Sequence, residues 1–271
     1  MTQKPPKALL LDMDGVLYHG DRCIPEALDF MRAVSSIPHC FVTNNPIKTP
    51  EQVADRLEQM GFVRPRLEQI ITTAAVTTDY LYSENAQFRY FAIGAPGLDA
   101  ALSQKGTADS ENADYVVVGE GPGIDFSSLS TAINLILKKG AKLISTNPDA
   151  SVDAYVDGEH QVWPGGGALV APIVVATGVV PITIGKPHAR LYQAAMSLLG
   201  VRAEECVMVG DRIDTDIAGA MAIGMPGALV RTGRFSPGDS LPEGMAVPDW
   251  DVENLQQLLD IWRFAFPAWL N

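Results

Sequence analysis

Acidic residues directly follow two short apolar segments of the sequence. Asp12 and Asp14 come after the apolar residues 8–11. Three further aspartates lie within 210–216, directly after the apolar residues 206–209. Two carboxylates held together in a dry crevice repel each other, so their burial would require a cation or a proton between them. Because Mg2+ prefers oxygen ligands from one or two carboxylates and several waters, these acids are candidates for a metal site.

Side chains that could hold a phosphate group follow two other apolar segments. Thr43 and Asn44 come after residues 39–42 and offer a hydroxyl and an amide as hydrogen-bond donors. Lys186 comes shortly after residues 182–184, and its ammonium is a compact charge that suits a phosphoryl group. Taken alone, each cluster also has a structural interpretation, since aspartate, asparagine and threonine are common in turns and helix caps and most lysines are solvated.

The apolar segments alternate with helical patterns along the chain. The predicted strands are residues 8–11, 39–42, 69–72, 89–93, 115–118, 142–145, 182–184, 206–209 and 228–230, and the predicted helices include 49–60 and 255–265. This alternation, with glycine and proline at the junctions, predicts an α/β fold of βαβ units around mainly parallel sheets. Ligands of such sheets bind beyond the carboxyl ends of the strands, which is where the polar clusters fall.

Composition narrows the classes of function. The chain has 271 residues, of which 47% are hydrophobic and 19% charged, so it is long enough for two globular domains. Its formal net charge of −12 argues against nucleic-acid binding, which depends on basic residues. The three cysteines form no CxxC pair, and the apolar run before Asp12 is too short for a signal peptide. We therefore expect a cytoplasmic protein.

One uncharged segment, residues 161–185, is long enough to span a membrane by length alone. Several glycines and prolines divide it into shorter pieces. This composition predicts a buried helix followed by a buried strand, and no association with a membrane.

The order and spacing of the four clusters resemble the haloacid dehalogenase superfamily. Its four motifs match 12–16, Thr43, Lys186 and 210–216. The long insert between the second and third motifs, with Thr-Asn-Asn at 43–45, Thr-Asn-Pro-Asp at 146–149 and Gly-Gly-Gly-Ala-Leu at 165–169, is similar to the NagD-like phosphatases of subclass IIA. The resemblance covers nearly the whole chain. It implies a Rossmann-like core with a parallel sheet, formed by 1–82 and 181–271, and an inserted smaller α/β cap at 83–180.

The resemblance also implies a Mg2+-dependent phosphatase that hydrolyses small phosphorylated metabolites through an aspartyl-phosphate intermediate. Asp12 would be the nucleophile, and Asp14 would act first as general acid and then as general base. Mg2+ would be held by Asp12, the main-chain carbonyl of Asp14, and Asp211, with Asp216 supporting the metal-bound waters.

The substrate contacts follow from the same resemblance. Thr43, Asn44 and Lys186 would hold the oxygens of the transferring phosphoryl group. Asn147 and Asp149 are candidates for a cap loop that faces the substrate, although turn chemistry explains them equally well. The resemblance allows a homodimer formed through the cap.

Two other functions are open to the same pattern of residues. Dehalogenases of the superfamily displace a halide from carbon, which requires neither a metal nor a general acid, so Asp14 and the acids at 210–216 argue against that activity. A non-catalytic nucleotide- or phosphate-binding regulatory module is the second alternative. The Gly-x-Gly-x-x-Gly fingerprint of such modules does not follow the first predicted strand.

Overall fold

The computed structural model describes residues 4–156 and 159–270, which divide into two compact units. The first unit contains the described residues up to Val42, Ala54–Ile71 and those from Lys186 onward. The second unit contains Thr43–Val53 and Thr72–Gly185. The cap expected at 83–180 lies inside the second unit, which extends further at both ends. The domain boundaries therefore stay a prediction.

Strands and helices alternate along most of the chain. The strands are β1 (Ala8–Leu11), β2 (Tyr18–His19), β3 (Arg22–Cys23), β4 (His39–Thr43), β5 (Ile70–Thr72), β6 (Arg89–Ile93), β7 (Thr107–Ala108), β8 (Tyr115–Val118), β9 (Lys142–Ser145), β10 (Ser151–Val156), β11 (Glu159–Pro164), β12 (Ile182–Thr183), β13 (Cys206–Gly210), β14 (Gly227–Val230) and β15 (Trp250–Val252). The helices are α1 (Ala27–Ala33), α2 (Pro50–Gln59), α3 (Thr73–Glu84), α4 (Pro96–Leu102), α5 (Phe126–Lys139), α6 (Gly166–Thr177), α7 (Ala189–Leu199), α8 (Ala218–Ala222) and α9 (Leu255–Ala265). Every strand predicted from the sequence is present, with ends that differ by at most one residue.

The sheet that positions the acids has six strands in the order β15-β14-β13-β1-β4-β5. The pairs β1–β13, β1–β4, β13–β14 and β14–β15 are parallel. All four residues of β1 are fully buried, as expected of a central strand covered on both faces. Since Leu11 lies opposite Val209, the carboxyl ends of β1 and β13 lie side by side and present the residues that follow them at one edge.

The second unit contains a five-stranded parallel sheet in the order β12-β9-β8-β6-β7. Helices α5 and α6 pack against it, and residues of β8 and β9 join both helices in one apolar core. Asp125 caps the start of α5 by accepting a hydrogen bond from the Ser128 N–H, and Gly140 ends it in a left-handed conformation. The fold is thus α/β in both units, as predicted.

Helix α6 and strand β12 confirm the helix and strand predicted within 161–185, but the predicted burial is wrong for one face of the helix and for β12, whose two residues are only partly buried. Val170 and Ile173 are buried, whereas Ala171 and Val175 are exposed. The hydropathy of a segment shows that the helix is apolar, but it does not show which face packs against the rest of the protein. In the ranges that the structure describes, no helix is both long and apolar enough to cross a membrane.

Candidate active site

Three buried carboxylates meet at the carboxyl ends of β1 and β13. Asp12 follows β1, and its N–H donates to the carbonyl of Val209 across the strand pair at 2.9 Å. Asp211 follows β13, and Asp216 comes one turn later. Within the described chain, one oxygen of each of these aspartates lies within 4.8 Å of the others. We call these three side chains the acidic group.

The position of Asp216 depends on a π-helical turn at Ile213–Ile217. The Tyr192 hydroxyl donates to the carbonyls of Thr215 and Asp216 at 2.7 and 3.0 Å and fixes the turn from α7. The Arg212 N–H donates to Asp216 Oδ2 at 3.1 Å. Asp216 therefore lies in the acidic group itself, and its expected support of metal-bound waters stays a prediction.

Lys186 is buried among these acids, with only 2% of its surface exposed. Its Nζ donates to Asp12 Oδ1 at 2.7 Å and to the carbonyl of Val42 at 3.2 Å. The same Nζ forms an ion pair with Asp216 Oδ1 at 2.7 Å. The alternative of a solvated lysine is therefore wrong, because this ammonium bridges two buried carboxylates.

The electrostatics of the acidic group favour a bound cation. Burial raises the pKa of Asp12 to about 7, against the opposing effect of Lys186. Burial also raises the pKa of Asp211 well above its usual range, and the neighbouring carboxylates add to the rise. Burial lowers the pKa of Lys186, but the two carboxylates outweigh it and raise the value, so the ammonium stays charged.

When all four groups are ionised, three carboxylates and one ammonium leave two negative charges in excess. A divalent cation would balance this excess, and buried carboxylate oxygens are the donors that Mg2+ prefers. The residues present therefore fit a magnesium ion.

Asp14 lies two positions beyond Asp12 and, in contrast to it, is exposed. The turn between them and β2 requires Gly15, which has a φ of +76°. A β-carbon on Gly15 would lie 2.5 Å from Asp211 Oδ2, so the backbone is too close to the acidic group for any residue with a side chain. The two carboxylates of the first motif thus have different environments, which suits different chemical roles.

A loop after β14 supports the acidic group and was missed in the sequence. The Thr232 hydroxyl donates to the carbonyl of Gly15 at 2.7 Å. The Arg234 N–H donates to Asp211 Oδ2 at 2.8 Å. The available signal was that Thr232 comes shortly after the predicted strand 228–230. The other polar clusters also come shortly after a predicted strand.

In the second unit, Asn44 belongs to a hydrogen-bonded network around Asn147. The Asn44 side chain donates to Asp149 Oδ2 at 2.9 Å, and the Asn147 side chain donates to the Asn44 carbonyl at 2.9 Å and to Glu120 Oε1 at 2.7 Å. Thr43 ends β4, and its hydroxyl accepts a hydrogen bond from the Asn45 N–H at 3.1 Å.

Asn147 is fully buried and Asp149 nearly so, and their contact with a substrate stays a prediction. Sequence reasoning missed Glu120, a single acid after β8 with no motif around it. Asn44, Glu120, Asn147 and Asp149 are called the Asn44 network below.

Similarity to known proteins agrees with this geometry. The family described as "Haloacid dehalogenase-like hydrolase" matches residues 9–108, and the family described as "HAD-hydrolase-like" matches residues 183–258. The 5'-nucleotidase YutF of Bacillus subtilis is 35% identical over 258 residues, which are 94% of this chain and 98% of that protein. The acid sugar phosphatase of Staphylococcus aureus is 38% identical over 234 residues, 85% of this chain and 88% of that protein.

Among solved structures, NagD from Escherichia coli K-12 superimposes with a TM-score of 0.81 at 28% identity, and the match covers 93% of this chain and 98% of that one. These relatives decide between an enzyme and a non-catalytic module in favour of the enzyme. With identities of this size over most of its length, the chain belongs to the haloacid dehalogenase superfamily, in which it is a NagD-like phosphatase.

Proposed function

We propose that the protein is a Mg2+-dependent phosphatase that hydrolyses small phosphomonoesters through an aspartyl-phosphate on Asp12. The observation that carries this proposal is the burial of Asp12 at the end of β1, within the acidic group and 2.7 Å from the Lys186 ammonium. The Lys186 ammonium balances only one of the three buried carboxylates, so keeping all three ionised would require a further cation.

Asp12 and Asp14 divide the chemistry between them. In the first step an Asp12 oxygen bonds to phosphorus while the bond from phosphorus to the ester oxygen breaks, and Asp14 gives its proton to that oxygen. In the second step a water loses a proton to Asp14 and bonds to phosphorus, and the bond from phosphorus to Asp12 breaks. The exposure of Asp14 supports this role, since both the leaving group and the water arrive from solvent.

Mg2+, held by Asp12, the main-chain carbonyl of Asp14 and Asp211, would supply positive charge that lowers the repulsion between the Asp12 carboxylate and the anionic phosphate. Asp216 holds the Lys186 ammonium in place through their ion pair. That ammonium orients Asp12 and, with donors from Thr43 and Asn44, would bind the phosphate oxygens.

The proposed substrates are sugar phosphates and nucleoside monophosphates. The support comes from the names of two relatives, an acid sugar phosphatase and a 5'-nucleotidase. A screen of purified protein against both substrate classes and p-nitrophenyl phosphate, with Mg2+ or with EDTA, tests the proposal. We expect phosphate release only with Mg2+, and release that EDTA leaves unchanged would refute the metal requirement.

We also propose a homodimer formed through the predicted cap at 83–180. Exposed apolar side chains on α6 and β11 support it, with Val175 86%, Val162 62% and Trp163 45% exposed. Light scattering of a Val175→Glu variant should then show a monomer, whereas a Val63→Glu variant, at a position that is 91% exposed in the first unit, serves as the control and should stay a dimer.

A cytoplasmic location is proposed as well. Cys23, Cys40 and Cys206 are free thiols, which fits a reducing compartment.

A further inference from the structure

The Asn44 network holds the main chain of Asn44 from two sides. The Asn44 carbonyl accepts hydrogen bonds from the Thr73 hydroxyl at 2.8 Å and from Asn147 Nδ2 at 2.9 Å. The Asn44 side chain is held separately by its bond to Asp149 Oδ2. A residue that follows a strand is usually free to change its backbone conformation, and here that freedom is removed.

The Asn147 side chain is itself fixed in one orientation. Its Nδ2 also donates to Glu120 Oε1 at 2.7 Å, and its Oδ1 accepts the Asp149 N–H at 3.1 Å. The Ser145 hydroxyl donates to the Asn147 carbonyl at 2.8 Å. Because Glu120 Oε1 accepts from the amide nitrogen of Asn147 and the Asp149 N–H donates to its amide oxygen, the nitrogen faces both Glu120 and the Asn44 carbonyl.

The same contacts reach the residue before the third motif. A β-carbon on Gly185 would lie 2.6 Å from Asn44 Oδ1 and 2.7 Å from the carbonyl of Thr146. The Gly185 N–H donates to that carbonyl at 2.8 Å. Gly185, which precedes Lys186, therefore packs closely against Asn44, which follows Thr43.

We propose that Asn147 is a positioning residue that holds Asn44 in its phosphate-binding conformation, with Glu120 setting the orientation of the Asn147 amide. This inference rests on the proposed phosphatase function. Phosphoryl transfer depends mainly on positioning and charge, so a loop that is ordered before the substrate arrives avoids the entropy of ordering it on binding. The proposal also gives a role to Glu120, a carboxylate that is only 2% exposed.

Two variants separate positioning from simple support of the fold. Asn147→Asp has the same shape but places an oxygen against both the Asn44 carbonyl and Glu120. In the double variant Asn147→Asp with Glu120→Gln, the new amide at position 120 can donate to the new carboxylate at position 147. The pair between positions 120 and 147 is then restored, whereas the bond to the Asn44 carbonyl is still lost.

The measurements are the melting temperature and the dissociation constant of inorganic phosphate, by calorimetry in Mg2+ at pH 8. We expect Asn147→Asp to lower the melting temperature and to raise the dissociation constant of phosphate at least about tenfold, since the variant loses a hydrogen bond and gains a repulsion between two oxygens. The double variant should recover the melting temperature but keep a phosphate dissociation constant raised about fivefold or more.

The matched control is Thr78→Val, which removes a buried hydrogen bond to the Ala74 carbonyl elsewhere in the second unit. It should lower the melting temperature and leave phosphate binding unchanged. A wild-type dissociation constant in either Asn147 variant would overturn the inference. Failure of the proposed function would show instead in the wild-type protein, as no phosphate release from p-nitrophenyl phosphate and no binding of phosphate.

Discussion

The acidic group of the first unit and the Asn44 network of the second unit are both buried and polar, but they are stabilised differently. The acidic group combines three carboxylates with one lysine, so ionisation leaves excess negative charge. In the Asn44 network, the two carboxylates, Glu120 and Asp149, each accept a hydrogen bond from a side-chain amide. The Asn44 carbonyl accepts hydrogen bonds from Asn147 and from the neighbouring Thr73 hydroxyl. The first arrangement brings three carboxylates within 4.8 Å of one another and would gain from a cation from solution, whereas each carboxylate of the second has a hydrogen-bond donor of the chain as its partner.

This difference separates the two tasks of the proposed reaction. Excess negative charge is useful where a cation must be bound, and the bound cation would in turn keep the nucleophile ionised. Matched hydrogen bonds are useful where a loop must keep one conformation. Variants of the acidic group should consequently respond to Mg2+, and variants of the Asn44 network should not.

The largest effect is expected from Asp12→Asn. An amide cannot form the phosphoryl-enzyme, so turnover should fall at least about 10^3-fold, as for the loss of other catalytic nucleophiles. Steady-state assays with p-nitrophenyl phosphate measure it. Asp214→Asn is the matched control, because Asp214 is in the same segment but pairs with Arg212 at the surface. Wild-type turnover in Asp12→Asn would remove Asp12 as the nucleophile.

The next effect is on stability and comes from Lys186→Met. Removing one partner of a buried charge cluster leaves the other charges uncompensated and lowers the free energy of unfolding by about 3–5 kcal/mol. Urea denaturation should show this loss, and Mg2+ should recover part of it. Lys7→Met, which breaks an exposed pair with Glu205, should change the free energy by less than about 1 kcal/mol. Equal effects of the two variants would contradict the comparison.

A smaller effect is expected from Thr232→Val. The variant loses the hydrogen bond to the Gly15 carbonyl, which is worth about 1 kcal/mol, so the dissociation constant of Mg2+ should rise about fivefold. Thr232→Ser keeps the hydroxyl and should bind Mg2+ as the wild type does. Calorimetric titration with Mg2+ alone gives both values, and identical binding by the two variants would show that this loop does not support the metal site.

The smallest effect is a dependence of stability on pH in the metal-free protein. Because the pKa of Asp12 is raised to about 7, the folded state binds more protons than the unfolded state between pH 4 and 7. Stability present at low pH should therefore be lost as the pH rises through this range. Melting temperatures in EDTA should show a steeper fall for the wild type than for Asp12→Asn, and added Mg2+ should remove the difference.

Nine of the fifteen strands in the described residues were predicted from the sequence, because most of them are short runs of apolar residues with buried side chains. The strands β2, β3, β7, β10, β11 and β15 were not predicted, since they are very short or carry exposed residues. Asp12, Lys186 and Asp211 could be selected since they follow predicted strands in a recognisable order. Glu120 and Thr232 were missed, because the position after a strand is a weak signal when the polar residue there has no motif around it. Their importance depends on which segments pack beside them.

Two other features also depend on tertiary structure. The π-helical turn at Ile213–Ile217 places Asp216 in the acidic group, and the spacing of the residues does not predict that turn. The exposed face of α6 carries apolar residues like its buried face, so hydropathy alone could not distinguish the two.

The close approach of Gly15 to Asp211 limits how this enzyme can be altered. In a randomised library selected for activity, position 15 should return glycine alone, because any side chain there displaces a carboxylate of the acidic group. Sequence diversity that preserves activity must arise at positions where the backbone leaves room for a side chain.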